Sequence, residues 1–187
     1  MESLRGRLLL ASPEMGDPNF EHSVILMVQH GPEGAMGLVL NRPTGTRVAE
    51  VLGDQVEAAC DTDEMLYRGG PCEGPLMVLH GDPVHGQEKI LDDLFFATER
   101  EYVEPALHGN VSPARFYAGY SGWGAGQLEG ELAAGAWSVI ETNAASVLRS
   151  TPGEQANVWR KLIRVKSSAE FFKHWDPRIV PRDPSMN

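Results

Sequence analysis

The sequence predicts a single-domain α+β protein with mixed or antiparallel β-sheets and short packed helices. Its 187 residues fit one domain with a sizeable core. Short apolar runs typical of strands are intermixed with segments of helical spacing, without the regular strand–helix–strand repeat of a parallel sheet. The 20 glycines and 13 prolines indicate many turns between short elements. We therefore expect residues 1–187 to form one domain, with an irregular tail over 177–187.

The first part of the chain predicts a short strand followed by a hairpin. Residues 8–11 form a short apolar run, and residues 24–28 form a β-branched apolar run typical of a buried strand. A turn over 30–34 joins the second run to a strand over 37–40. Pro43 ends this hairpin, because proline has no backbone N–H to donate to a neighbouring strand.

The rest of the chain predicts further strands and short helices around a glycine-rich segment. A strand over 114–118 leads into this segment, and a helix over 127–134 follows it. One face of a later helix carries the apolar residues Val158, Trp159, Leu162 and Ile163. The other predicted elements are a helix over 47–53, an acidic loop over 54–64, strands over 65–68, 76–80, 94–97 and 136–140, a polar loop between the second and third of these strands, and a helix over 99–108 that is interrupted near Pro105.

Residues 119–131 contain the most informative pattern, because glycines surround one tryptophan between a predicted strand and a predicted helix. Glycine carries an entropic cost that a chain accepts where the backbone turns sharply or where another group approaches it closely. We expect Trp123 to fill a core or an interface. We also expect Gly124 to adopt a backbone conformation closed to other residues, because it separates the bulky indole from the helix that begins near Gln127.

The motifs of common catalytic sites each fail at a specific position. Ser121 has the strand–turn–helix setting of a hydrolase nucleophile, but Trp123 stands where that motif requires glycine. The glycine spacing differs from a dinucleotide fingerprint, and no Walker lysine follows a glycine run. The nearest approach to metal-ligand spacing is His80 with His85, which a loop containing glycine and proline separates. The sequence therefore predicts no catalytic residue, no metal site and no cofactor.

The charge and the apolar runs limit the environment and the partners. The formal net charge is −10 and the isoelectric point is about 5.0, which opposes attraction to DNA, and no helix-turn-helix pattern occurs. The early apolar run over 8–11 is too short for a membrane span or a signal peptide. We expect a cytoplasmic protein without direct DNA binding or membrane insertion. Cys60 and Cys72 are expected to be reduced thiols, and Cys72 stands in a turn where an exposed thiol could react.

Several blocks, in order along the chain, resemble the YqgE/AlgH family of small bacterial proteins. The resemblance extends from about residue 6 to 140 and implies the fold of that family. It implies no established reaction, because the family is described as uncharacterised, with some members named as transcriptional regulators. The blocks are residues 7–13, Phe20, His30, residues 34–43, residues 68–71 and the glycine–tryptophan segment 119–131.

Two functional hypotheses follow from the sequence. The leading one is a binding or regulatory protein that acts through a protein partner and affects transcription indirectly. The alternative is an enzyme, or a binder of a small ligand such as an anion, with a site at the ends of several strands. A buried Trp123 and an Asn41 bonded only to the main chain would favour the first, and a concave pocket would favour the second. The candidate surface comprises Asn41, Arg42, Gly69, Gly70, Trp123, Gly124 and Gln127.

Overall fold

The computed structural model describes residues 2–53, 60–148 and 157–174, which form ten strands and five helices. None of these helices is long and apolar enough to cross a membrane. The tail predicted over 177–187 lies outside the described residues. The strands are β1 Leu8–Ala11, β2 Val24–Gly31, β3 Gly34–Val39, β4 Pro43–Arg47, β5 Met65–Arg68, β6 Cys72–His80, β7 Glu88–Leu91, β8 Leu94–Ala97, β9 Ala114–Gly124 and β10 Trp137–Ile140. The helices are α1 Val48–Leu52, α2 Arg100–Leu107, α3 Gln127–Ala133, α4 Ala144–Leu148 and α5 Val158–His174.

The strands form one curled, mixed sheet. Eight of them follow one another as hydrogen-bonded neighbours in the order β10-β1-β2-β3-β9-β6-β8-β7. β4 pairs with β5, and β5 pairs with β9. The contact between β5 and β9 is parallel, and the other pairings are antiparallel. The predicted α+β class with short helices is confirmed.

Three local features differ from the prediction. Pro43 begins β4, a strand whose one neighbour among the described strands is β5, and proline is tolerated at the first position of such an edge strand. β7 occupies part of the predicted polar loop and forms a hairpin with β8 in which Leu91 pairs with Leu94. Pro105 lies inside α2 without interrupting it, although proline removes one helical N–H.

Both faces of the sheet are buried, which explains the continuous apolar run of β2. Leu26 and Val28 belong to a cluster that also includes residues of α4 and α5. Ile25 and Met27 point to the other face and pack in a cluster with Leu128 of α3. A third cluster packs α1 and α2 against β5, β6 and β9. A strand buried on both faces needs apolar residues at successive positions, so β2 lacks the alternation of a half-buried strand.

β9 connects the two halves of the sheet and is longer than predicted. Its first part pairs with β6 on one side and with β5 on the other, and its last part, from Ser121 onward, pairs with β3. The prediction ended this strand at residue 118, whereas the strand continues to Gly124. The chain bends within the strand at Gly119, whose φ of 72° lies in the left-handed region that favours glycine. The glycine-rich segment is thus partly strand and not only a turn.

Gly69 and Gly70 lie against this bend so closely that neither has room for a side chain. A Cβ atom on Gly69 would overlap the Gly119 carbonyl oxygen, and a Cβ atom on Gly70 would overlap the Tyr120 carbonyl group. A Cβ atom on Gly119 itself would lie 2.9 Å from the Gly70 carbonyl oxygen. We call this contact of residues 69–70 with residues 119–121 the glycine junction.

Hydrogen bonds of Gly69 fasten the glycine junction to the surrounding strands. The Gly69 N–H donates to the Ala118 carbonyl oxygen at 3.0 Å. The Gly69 carbonyl oxygen accepts from the Val39 N–H at 2.8 Å and from the Ser121 hydroxyl at 3.2 Å. One residue without a side chain therefore ties β3, β5 and β9 together.

The prediction for Gly124 is wrong, although a nearby glycine has the expected conformation. Gly126, immediately before α3, has a φ of 74° in the left-handed region. Gly124 lies in β9 outside that region, and the nearest atom to a Cβ built on it is Gln127 Oε1, at 4.0 Å. The left-handed turn into α3 is therefore made at Gly126, because β9 continues as a strand up to Gly124.

We expect Gly70→Ala to lower the free energy of unfolding by on the order of 3 kcal/mol, because the added methyl group must displace the β9 backbone. The matched change Gly124→Ala should alter it by less than about 0.5 kcal/mol, because the site has room. Urea unfolding monitored by tryptophan fluorescence measures both. Equal effects of the two substitutions would contradict this account of the glycine junction.

Candidate functional site

The seven candidate residues divide between two places in the fold. Asn41, Arg42 and Gly70 lie with Gly69 where β3, β4 and β5 meet. The other three, Trp123, Gly124 and Gln127, lie at the end of β9 and the start of α3. Only Arg42 and Gly70 of the seven line a shared cleft, so the structure does not bring the whole set together.

The concave feature near the first group is a small cleft of about 140 Å³, which we call the arginine cleft. Its two charged side chains belong to neighbouring segments, because the Arg68 N–H donates to the Arg42 carbonyl oxygen at 2.9 Å. Gly70 belongs to both the cleft and the glycine junction. The cleft is lined by Asn19, Val39, Arg42, Arg68, Gly70 and Pro71.

The two arginines of the cleft differ in how they are held. Arg42 Nη2 donates to the main-chain oxygens of Glu21 at 3.1 Å and Pro18 at 3.3 Å, which orients its guanidinium. Arg68 is exposed, and its guanidinium has no hydrogen-bond or ion-pair partner within the described part of the chain. The arginine cleft thus combines one fixed cation with one adaptable cation.

Burial lowers the pKa of the Arg42 guanidinium from its usual value, and the nearby charge of Arg68 lowers it further. The carboxylates of Glu21 and Asp17 act in the opposite direction. Neither carboxylate forms an ion pair with Arg42 within 4.0 Å among the described residues. Arginine remains protonated at neutral pH, so two positive charges share a small cleft on an acidic protein.

Asn41 supports the wall of the cleft through main-chain bonds, the arrangement that favours the first of the two functional hypotheses. Its Oδ1 accepts from the buried Val24 N–H at 2.9 Å, and its Nδ2 donates to the His22 carbonyl oxygen at 2.8 Å. His22 has a φ of 55°, an uncommon conformation for a residue with a side chain, and its ring packs on Trp159 at 4.4 Å between centroids. Asn41 therefore helps to fix the loop that supplies Asn19.

Trp123 is a core residue at 5% exposure. Its ring stacks on Phe20 at 6.2 Å and meets Trp137 edge-on at 6.1 Å between centroids. Its Nε1–H donates to Glu131 Oε2 at 2.9 Å, and Trp137 Nε1–H donates to the same oxygen at 2.7 Å. Trp123 is thus buried and bonded, so it is not available as an exposed recognition residue.

Gln127 also has a structural role at the start of α3. Its Oε1 accepts from the Gly124 N–H at 3.1 Å, and its Nε2 donates to Glu131 Oε1 at 3.0 Å. The Glu131 carboxylate therefore receives bonds from two indoles and one amide, which joins α3 to β9 and β10.

The residues that most suggested catalysis are also engaged in structural bonds. Ser121 is fully buried, and its hydroxyl donates to the Gly69 carbonyl oxygen. His30 Nδ1 accepts from the Leu4 N–H at 3.0 Å, so its Nε2 carries the proton and donates to Glu129 Oε1 at 3.0 Å. The pKa of the Glu129 carboxyl group is lowered, first by a hydrogen bond from the backbone N–H of Glu129 itself and then by the hydrogen bond from His30. Neither Ser121 nor His30 is free to act on a substrate.

Sequence reasoning missed Asn19 and Arg68 in the cleft, as well as Glu131. A signal existed for Arg68, which immediately precedes Gly69 and Gly70 at a predicted strand end. No comparable signal existed for Asn19, because a loop remote in sequence carries it to the cleft.

Cys72 is half-buried at the start of β6, where it pairs with Tyr120. Among the described residues, no group of three or more histidine, cysteine or acidic side chains could hold a metal ion.

These features define a class of small α+β proteins in which one long strand joins two halves of a curled sheet beside a basic cleft. The AlgH-like family model matches residues 8–168, and the chain belongs to this family. This confirms the resemblance to YqgE/AlgH proteins. A UPF0301 protein of Streptomyces coelicolor is 35% identical over 205 residues, covering 100% of this chain and 97% of the relative. A UPF0301 protein of Myxococcus xanthus is 38% identical over 168 residues, covering 88% of this chain and 91% of the relative.

Two solved structures share this fold. The solution structure of the AlgH protein from Pseudomonas aeruginosa matches with a TM-score of 0.72 and 31% identity, covering 93% of this chain and 95% of that protein. A crystal structure from Corynebacterium diphtheriae matches with a TM-score of 0.68 and 24% identity, covering 88% and 87%. The latter likeness concerns the fold alone. The names of these relatives state no reaction and no ligand.

We expect Asn41→Ala to lower the free energy of unfolding by about 2 kcal/mol, because the buried Val24 N–H loses its acceptor. Asn110→Ala, at an exposed residue whose side chain has no bond among the described residues, should have an effect within about 0.5 kcal/mol. Urea denaturation provides the comparison. Unchanged stability of Asn41→Ala would remove the structural role assigned to this side chain.

We expect Glu131→Ala to lower the free energy of unfolding by about 2 kcal/mol or more, because two largely buried indole N–H groups lose their shared acceptor. Near-ultraviolet circular dichroism should change as well, since Trp123 and Trp137 become less fixed. Glu73→Ala removes an exposed carboxylate without a bond among the described residues, so it should leave both signals unchanged. A wild-type spectrum for Glu131→Ala would show that the carboxylate does not position the indoles.

Proposed function

We propose that this protein is a cytoplasmic binding protein that acts through a protein partner, and that the partner docks over the arginine cleft. It catalyses no reaction of its own. Its role is regulatory, and any effect on transcription is exerted through the partner. The observation that carries this proposal is the contrast between the engaged polar groups of Ser121, His30 and Asn41 and the open donors of Arg42 and Arg68.

The size of the arginine cleft supports a macromolecular partner. Sites for whole cofactors and drug-sized ligands usually occupy about 300–1,000 Å³. A cleft of about 140 Å³ holds one small group, such as the end of a side chain. A larger molecule must therefore present this group, while the rest of that molecule lies on the exposed rim formed by Asn19 and Pro71.

The charge distribution supports a protein over a nucleic acid. The formal net charge of −10 repels a polyanion along most of its length. Two arginines in a small cleft can offset this repulsion for one anionic group but not for a phosphate backbone. A protein surface can present a single anionic group among neutral or basic neighbours, so it meets both requirements.

Position-specific photo-crosslinking in living cells tests this proposal. A photo-crosslinking amino acid is placed at Asn19 or at Pro71 on the cleft rim, and at Val84 as the control. Val84 is 80% exposed and lies beyond the far end of β6. The nine residues of β6 span about 30 Å from the cleft end, at roughly 3.3 Å per residue.

We expect one protein, identified by mass spectrometry, to crosslink from both rim positions and not from Val84. Arg68→Glu should reduce the yield at the rim at least about tenfold, because it reverses the charge of the adaptable cation. Equal crosslinking from Val84, or a yield that Arg68→Glu leaves unchanged, would contradict docking at this cleft.

A further inference from the structure

We infer that the arginine cleft is a binding site for a single carboxylate group. This inference rests on the proposed function in that the carboxylate belongs to the docking partner, but the recognition itself depends only on residues of this chain. Either an acidic side chain or a free chain terminus can supply such a group.

Arg42 provides a cation that is already oriented. Its Nη2 is held by the main-chain oxygens of Pro18 and Glu21, and its Nε and Nη1 groups have no partner within the described residues. A side chain held in this way loses little conformational entropy when a ligand binds. The remaining N–H groups of Arg42 can therefore donate to a carboxylate oxygen at small entropic cost.

Arg68 and Asn19 provide adaptable donors on the other walls of the cleft. Both are exposed, and their side-chain N–H groups have no partner among the described residues. Arginine binds carboxylates through a planar set of N–H groups, which fits an anion with two oxygens. Val39 and Pro71 complete the lining with apolar surface that suits the carbon next to the carboxylate.

The charges of the cleft are incompletely balanced without an anion. Arg42 and Arg68 repel each other, and the acceptors that orient Arg42 are neutral carbonyl groups. Glu21 and Asp17 attract Arg42 from outside hydrogen-bond distance. A carboxylate between the guanidiniums would replace this repulsion with two attractions.

Two observations favour a carboxylate over a phosphate-bearing ligand. The cleft is small, so it excludes most of a nucleotide. The nearby Glu21 and Asp17, together with a formal net charge of −10, repel every negative charge of a ligand, so the total repulsion grows with the number of charges that the ligand carries. The group that gains most is therefore a compact anion with one charge.

Nuclear magnetic resonance titration of the isolated, isotope-labelled protein tests the ligand class. Acetate is the probe, acetamide is its neutral counterpart, and inorganic phosphate is the competing anion. The signals to follow are the backbone amides of Asn19 and Gly70 and the Nε–H groups of Arg42 and Arg68. We expect acetate to produce saturable shifts with a dissociation constant on the order of 1–100 mM, as is reasonable for so small a ligand.

Two variants provide the controls. Arg68→Gln should weaken acetate binding at least about fivefold, because it removes half of the cationic charge in the cleft. Its melting temperature should stay within about 2 °C of the wild type, because the exposed side chain supports nothing else. Arg160→Gln removes an exposed arginine on α5, away from the cleft lining, and should leave acetate binding within about twofold.

Three results would overturn the inference. These are the absence of saturable shifts with acetate, equal shifts with acetamide, and phosphate binding at least about tenfold tighter than acetate. Short peptides then identify the source of the group. An N-acetylated triglycine with a free carboxyl terminus and an N-acetylated, amidated peptide with one aspartate are compared with N-acetylated, amidated triglycine, which carries no charge. Tighter binding of either charged peptide supports the inference, and equal binding of all three contradicts it.

The titration and the crosslinking experiment can fail separately. Saturable binding of acetate without position-specific crosslinking would remove the proposed partner and leave the carboxylate site. Specific crosslinking without any effect of acetate would retain the partner and show that it docks without a carboxylate in the arginine cleft.

Discussion

The glycine junction is the contact on which the rest of this structure depends. Gly69 and Gly70 pass the bend of β9 at a distance that excludes any side chain. The hydrogen bonds of Gly69 fasten β3, β5 and the centre of β9 to one another. Because β9 continues through this point, the two halves of the curled sheet share one strand. Arg68 is the residue immediately before the junction, so its position at the cleft follows from the same contact.

The arginine cleft is built largely by main-chain groups from distant parts of the chain. The Arg68 N–H bonds to the Arg42 carbonyl oxygen, and the Arg42 side chain bonds to carbonyl oxygens of the loop before β2. Asn41 fastens the same loop through His22. A cleft held in this way is stiff where Arg42 lies and adaptable at Arg68, which suits the recognition of one group on the proposed partner.

The polar side chains of this fold that resemble catalytic groups are engaged in structural bonds. Ser121, His30 and Glu131 are in settings that could suggest chemistry, yet each joins elements of the scaffold. A group that is buried and committed in this way can be displaced only by losing stability. The exposed donors of Arg68 and Asn19 carry no such cost. Function in this family member is therefore best sought at the arginine cleft rather than at the glycine–tryptophan segment.

The sequence by itself determined the α+β class and most elements, because apolar spacing and turn chemistry act locally, and it determined the family through blocks that keep their order along the chain. It misassigned Gly124 and the end of β9, since only a tertiary neighbour shows which glycine lacks space. The sequence also proposed Trp123 and Gln127 for a shared binding surface, whereas both side chains donate hydrogen bonds to the Glu131 carboxylate and so have structural roles. Only the tertiary structure brought Asn19 to Arg42 and Arg68. The cleft depends on contacts between residues far apart in the chain, and local sequence patterns do not indicate which distant residues meet.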